Sequence, residues 1–192
     1  MAENLYKEWF VRFRFPNYKK TDFHVGKLEE LVCFVRGKNI TSSEMVFGEY
    51  PVISAGIEPS GFHNKFNVKA PSITISSSGA NAGYLSFNRK NIWAADCIYA
   101  NETENIFFVY YSLKFLKSVI KNLQRGSAQP HVYSKDINKI KLNIPTENII
   151  LSFNKYIQPI SEEIFALTEK NENLIKQRDL LLPRLMSGKL EV

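Results

Sequence analysis

Residues 150–185 read ILSFNKYIQPISEEIFALTEKNENLIKQRDLLLPRL. Within that stretch Ile150, Phe153, Ile157, Ile160, Ile164, Leu167, Asn171, Leu174, Arg178, Leu181 and Leu185 are separated by steps that alternate three and four without a break. This spacing keeps one seam of an α-helix facing a partner helix. A helix lying on its own domain needs only a looser apolar stripe. Two readings stand: a long surface helix docked on its own body, or an arm that holds something at a set distance. Asn171 and Arg178 interrupt the apolar seam, and a polar seam residue usually fixes register or partner at a cost in stability. Ahead of the seam, Ile144-Pro145-Thr146 marks a boundary. Thr146 suits a helix cap, and Glu147 is favourable against the positive end of the helix dipole. Pro159 removes one backbone donor and is expected to kink the helix or divide it into a docking piece and a longer arm. Pro183 and Ser187-Gly188 place the helix end near Leu182. At about 1.5 Å per residue, Ile150 to Leu181 spans on the order of 48 Å, longer than a small domain is wide. That length favours a projecting arm.

The remainder of the chain has another character. At 192 residues, with 44% hydrophobic and 13% aromatic residues, there is material for a real core,. No apolar run approaches the roughly 18 residues of a membrane span. The N-terminus, with Glu3, Glu8 and its aromatics, lacks the basic-then-apolar order of a signal peptide. Cys33 and Cys97 have no metal-ligand spacing and sit in apolar runs, so buried, reduced thiols in a cytoplasmic protein are expected,. The net charge is +6 and unevenly placed. Residues 145–192 carry six Lys/Arg against seven Asp/Glu, whereas residues 21–144 carry fourteen against ten. A basic body with a neutral arm suits approach to an anion, though many basic proteins bind no nucleic acid.

Three parts follow: an aromatic and basic segment over 1–20, a body over 21–144 and the helix with its tail over 145–192. In the first, residues 3–13 are expected to form a short helix ended by Phe15-Pro16. Its aromatics, Tyr6, Trp9, Phe10, Phe13 and Phe15, are expected to pack on the body or on the long helix. The body alternates strand-like runs (Leu31–Val35, Tyr50–Ser54, Ser72–Ser76, Gly83–Phe87, Ile92–Ile98, Lys139–Leu142) with Gly-, Asn- and Pro-containing turns,. Residues 105–123 space their apolar residues helically. Helices do not alternate with strands, so the class is α+β: a compact β-rich body followed by a long helix.

Several segments, in order, resemble the specificity subunits of type I restriction-modification systems: residues 50–57 (YPVISAGI) with 61–66 (GFHNKF), 73–83 (ITISSSGANAG), 93–99 (WAADCIY), 126–131 (GSAQPH) and 178–188 (RDLLLPRLMSG). The resemblance implies that residues 21–144 are a target-recognition domain reading one half of a split site in double-stranded DNA. It implies that the helix is a spacer setting the distance to a second reader. Family members usually carry two readers and two spacers on one chain; here there is one of each and no internal repeat, as in a half-subunit, natural or truncated. Residues 5–16 (LYKEWFVRFRFP) resemble the stretch that follows the spacer in longer members. The resemblance further implies modification (methyltransferase) subunits and an ATP-dependent motor and nuclease (restriction) subunit as partners. A homodimer joined by an antiparallel coiled coil through Phe153, Ile157, Ile160, Ile164, Leu167, Asn171, Leu174, Arg178 and Leu181 would place two identical readers on an interrupted palindrome.

Base edges are read by Asn, Gln, Arg, Lys, Ser and Thr, and phosphates are held by cations, hydroxyls and backbone N–H groups. On that chemistry the candidate DNA contacts are Lys38, Asn39, Thr41 and Ser43 in one loop, and Ser77, Ser78 and Asn81 in a second that lacks bulk. His63 and Lys65 form a smaller cluster, and Arg89 lies in the turn at 88–91. The loop most suited to readout holds Ser127, Gln129 and His131, because Gln129 matches adenine and His131 can donate to a base or phosphate. Each loop also has a plain reading as an ordinary turn. His24 is read as structural or solvated, Trp93 as core, and Lys114, Lys117 and Lys121 as a solvated helix face. There is no methylation motif, P-loop, glycine-rich cofactor loop or metal spacing, so no cofactor and no catalysis by this chain are expected. The rival classes are a protein-interaction module that oligomerises through its helix without DNA, and a diverged enzyme with a cryptic site.

Overall fold

The computed structural model describes residues 2–15, 19, 22–126 and 128–187. It divides into two units, residues 1–154 and residues 155–192, with the division inside the long helix.

The first unit is opened and closed by one antiparallel ribbon. Strand β1 (Phe23–Lys27) pairs with β9 (Lys141–Pro145), Phe23 opposite Pro145 and Lys27 opposite Lys141. In β9 Leu142 and Ile144 are buried while Lys141 and Asn143 are exposed, the period-two alternation of a strand with one wet face,. Between these strands lie two sheets. The larger runs β2 (Val35–Arg36), β8 (Cys97–Asn101), β5 (Ser72–Ser76), β6 (Leu85–Asn88), with every neighbouring pair antiparallel. All five residues of β5 are buried, as befits a central strand covered on both faces,. The smaller sheet runs β4 (Gly61–His63), β3 (Tyr50–Ile53), β7 (Trp93–Ala94), the β3–β7 pair being parallel.

Helix α1 (Ala2–Tyr6) is continued by a π-helical turn over Lys7–Val11, and the two bury Tyr6, Trp9 and Phe10. Phe10 meets Phe108 and Phe153 edge-on with ring centroids 4.9 and 5.0 Å apart. Tyr6 donates to Ser112 Oγ at 3.1 Å. Phe108 and Ser112 belong to α2 (Ile106–Phe115), which is followed by α3 (Lys117–Asn122) and, later, α4 (Ser134–Asn138).

Ahead of the long helix four expectations change. The single helix over 105–123 is two helices, parted where Leu116 leaves the α region at ψ 22°. The strand expected over Leu31–Val35 shrinks to Val35–Arg36. Its place is taken by the buried side chain of Asn138, which accepts from Phe34 N–H (2.8 Å) and donates to Phe34 C=O (3.0 Å) as a strand neighbour would. The run Ile92–Ile98 is two strands in different sheets, turned at Ala95-Asp96. Cys33 is exposed; Cys97 alone is buried, and burial with the nearby Asp96 charge pushes its thiol up to about 12,.

Helix α5 runs Glu147–Met186 without a break. It passes through Pro159, where a division was expected, and through Pro183 beyond the expected end at Leu182. A proline costs the helix one N–H bond and crowds one carbonyl, and the flanking turns of a long helix supply the remaining bonds. Within the first unit Ile150 and Phe153 are buried. In the second, Ile157 is buried and Ile160 partly so, and from Ile164 onward the seam is open, with Leu167, Leu174, Leu181 and Leu185 each about half exposed. Asn171 and Arg178 are exposed, and Arg178 pairs with Asp179 at 2.7 Å. No helix among the described residues is long and apolar enough to cross a membrane.

Candidate nucleic-acid interface

The pairing of β5 with β8 puts Ser76 opposite Cys97, so the next residues on either side, Ser77 and Asp96, face each other just past the strand ends. Ser77 Oγ lies 2.6 Å from Asp96 Oδ1, and Ser78 donates to Asp96 Oδ2. From β2, Arg36 Nη2 reaches Oδ1 at 3.4 Å. Partial burial works to raise the Asp96 pKa, but the two serine hydroxyls and the Arg36 charge together hold it below the ordinary aspartate value,.

The loop leaving β5 is joined to the loop over 125–131 through the main chain. Val132 N–H donates to Ser77 C=O (2.9 Å), and Gly79 N–H donates to Pro130 C=O (3.0 Å). Gln124 Nε2 donates to Ala82 C=O at 2.7 Å. The second loop is itself closed by reciprocal bonds between Arg125 and His131, 2.9 and 2.8 Å long. Gly126 sits at φ +92°, and a Cβ there would lie 2.7 Å from the Gln129 carbonyl, so this closure requires glycine,. The tip presents Gln129 to solvent. Beside it the ring of Tyr133 carries Arg125 and Lys135 at 5.9 and 5.7 Å and the His131 ring nearly parallel at 6.4 Å. Arg125 is also held at 2.9 Å by Asp136.

A third loop is fixed on the far side of Asp96. Gly37 and Lys38 donate N–H to Cys97 C=O (2.8 Å) and Ala94 C=O (2.9 Å), and Trp93 Nε1 donates to Lys38 C=O (2.9 Å). A Cβ on residue 37 would lie 2.4 Å from the Ala95 carbonyl, so only glycine allows this approach. Arg36, Lys38 and Asn39 project to solvent from it.

These bonds link the three loops that carry Arg36 and Lys38, Asn81, and Gln129 and His131. Of the remaining expected contacts, Ser77 and Ser78 are buried with their hydroxyls engaged on Asp96, so their side chains serve the body's own geometry. His63 is also buried: its Nδ1 accepts Val46 N–H at 3.0 Å and its ring stands edge-on to Trp93. The Thr41 hydroxyl is turned to Glu44 Oε2 (2.7 Å) and Ser43 Oγ (3.0 Å). Lys65 is exposed after β4, and Arg89 follows β6 with its guanidinium 5.2 Å over Phe87. Ser127 lies outside the described residues. The sequence reading passed over Arg125, Tyr133 and Lys135, although an aromatic interleaved with cations is a legible signal. Asp96 carried none. Among the described residues no cluster of His, Cys, Asp and Glu is placed to hold a metal ion.

Residues 20–178 match the model of the type I restriction modification DNA specificity domain. The chain is 24% identical over 176 residues to the MjaVIII specificity subunit of Methanocaldococcus jannaschii, covering 81% of this chain and 41% of that one. It is 26% identical over 231 residues to the MjaIX specificity subunit of the same organism, covering all of this chain and 52% of that one. Among solved structures the S subunit of a type I system from M. genitalium superimposes with a TM-score of 0.72 at 19% identity, over 90% of this chain and 48% of that one. The chain thus spans about half the length of the relatives it matches.

Proposed function

The chain belongs to the family of type I restriction modification DNA specificity domains, and from that premise we propose that its body reads one half of a bipartite site in double-stranded DNA. The observation that carries this reading is the convergence of three loops, from β2, β5 and the 125–131 hairpin, with Arg36, Lys38, Gln129, His131, Arg125 and Lys135 along them. Cations hold phosphates and set register; Gln129 is the side chain suited to a base edge. The helix from Ile164 onward pairs with that of a second copy in an antiparallel coiled coil, which sets the distance between two readers about a two-fold axis. Methyl transfer then comes from modification subunits and ATP-driven cleavage from a restriction subunit, in the cytoplasm. This chain supplies the address.

Titration of the chain with duplex DNA across salt concentrations tests the reading. Log affinity is expected to fall steeply with log salt, by roughly one unit of slope per phosphate neutralised. Gln129→Ala is expected to relax sequence preference by about 1–3 kcal/mol while leaving nonspecific binding in place. A uniform loss across sequences would make Gln129 a positioning residue. Absence of DNA binding would favour the rival reading, an interaction module that uses the exposed apolar residues Phe47, Val46 and Phe62 on the β3–β4 side of the body,.

A further inference from the structure

A carboxylate is an odd neighbour for phosphate. Asp96 nevertheless sits at the centre of the loop cluster, and both of its oxygens face inward onto partners. Ser77 and Ser78 occupy one oxygen each, and Arg36 stands at the solvent side. Those two serines are also the residues that hold the 125–131 loop: the Ser77 carbonyl receives Val132 N–H, Ser78 bridges to His131, and the following Gly79 N–H reaches the Pro130 carbonyl. The Asp96 carboxylate is thus connected to the residue beside Gln129 through hydrogen bonds at either end of the short main-chain segment 77–79. No step of this connection touches a DNA-facing side chain.

We propose that Asp96 is the positioning residue of the reader: it fixes the height and tilt of the Gln129–His131 tip through Ser77 and Ser78, and contacts no nucleotide itself. This rests on the DNA-reading function above. Base readout by an amide needs donor–acceptor distances near 3 Å and good alignment. Phosphate contacts by Arg and Lys tolerate displacement, because long side chains follow the backbone. A loosened tip therefore loses sequence discrimination and keeps its general hold on DNA. Removing the carboxylate also removes a negative charge and frees Arg36, both of which favour phosphate. The two quantities move in opposite directions, whereas a fold-level defect lowers both.

The test uses the full chain and a pool of random-sequence DNA duplexes. Wild type is carried through rounds of selection; its affinities for the enriched and the unselected pools are then compared with those of Asp96→Ala, Asp96→Asn and the double variant Ser77→Ala/Ser78→Ala, each with its melting temperature. For Asp96→Ala and for the serine pair the ratio of enriched to unselected affinity is expected to fall by about tenfold or more. Affinity for the unselected pool is expected to hold for the serine pair and to hold or tighten for Asp96→Ala. Asp96→Asn, which keeps one acceptor oxygen, is expected to fall between. If Asp96→Ala does not fold, the serine pair decides, since it keeps the charge and nearly the volume. An unchanged ratio in folded variants overturns the role of Asp96, and so does an equal loss in both pools. Failure of wild type to bind or enrich any duplex would overturn the DNA reading itself, and the role of Asp96 with it; these results are distinguishable.

Discussion

Phe153 and Leu167 occupy the same heptad position two repeats apart on one helix, yet their surroundings have nothing in common. Phe153 is fully buried, its ring 5.0 Å from Phe10, 6.0 Å from Trp9, 6.2 Å from Tyr6 and 6.2 Å from Tyr111. Leu167 is 54% exposed, and Leu174, Leu181 and Leu185 resemble it. One periodicity therefore describes two kinds of surface. At the start of the helix the apolar residues are completed by their own chain; farther along they form a half-covered seam such as a second helix would fill. A repeat in a sequence tells that a face must be covered and is silent on what covers it.

That difference can be broken most sharply at Phe153. Phe153→Ala leaves a cavity beside the rings of Tyr6, Trp9, Phe10 and Tyr111 and is expected to destabilise the body by about 3–5 kcal/mol,. The loss should appear in denaturant unfolding and be the same at every protein concentration. A loss below about 1 kcal/mol would mean that the aromatic cluster is not the clasp it resembles. On the open stretch the outcome should reverse. Replacing Ile164 and Leu167 together by Glu is expected to abolish self-association in sedimentation while shifting the body's unfolding by no more than about 0.5 kcal/mol. Sedimentation as an unchanged dimer would count against the seam.

The smallest effect concerns the segment that covers Phe153. Glu3 accepts from Lys114 and Lys7, each at 3.2 Å, and these bonds hold its carboxyl below the usual glutamate value. A depressed folded-state pKa stabilises above the unfolded value and loses that contribution as pH falls through the folded one. Glu3→Gln should therefore lower the melting temperature slightly at neutral pH. The gap from wild type should close as pH falls through and below the ordinary carboxylate range. Because the pair is exposed, the effect should also shrink in salt. A gap that persists in acid would assign the change to packing instead.

Much of this architecture is legible in the chain itself. The long helix, β3 and β5 all follow from local spacing and turn chemistry. What escapes is decided by residues far away in sequence. Val32 to Phe34 look like a strand until Asn138 supplies the strand's bonds with a side chain. Ser77 and Ser78 look like phosphate ligands until sheet register delivers Asp96 to them. His63 looks like part of a polar surface cluster until Trp93 and Val46 enclose it. In each case a short polar side chain carries the same chemistry inside or outside, and only pairing between distant strands chooses. Pro159 misleads for the converse reason: its local rule is sound, but the turns on either side of it outweigh one lost bond.

The ribbon of β1 and β9 has a consequence for how such a chain can change. Its two strands run side by side, so the polypeptide arrives at the body and departs from it at adjacent points. Residues 28–140 leave and return at that junction, and within them α2 also meets the N-terminal segment and Phe153. A differently shaped body grafted between the same two strands would keep the flanking segments in place only if it also supplied a face like that of α2 for Phe10 and Phe153,. An exchange at this junction thus swaps the whole of residues 28–140 in a single event, and the incoming segment must carry its own counterparts of Phe108 and Ser112.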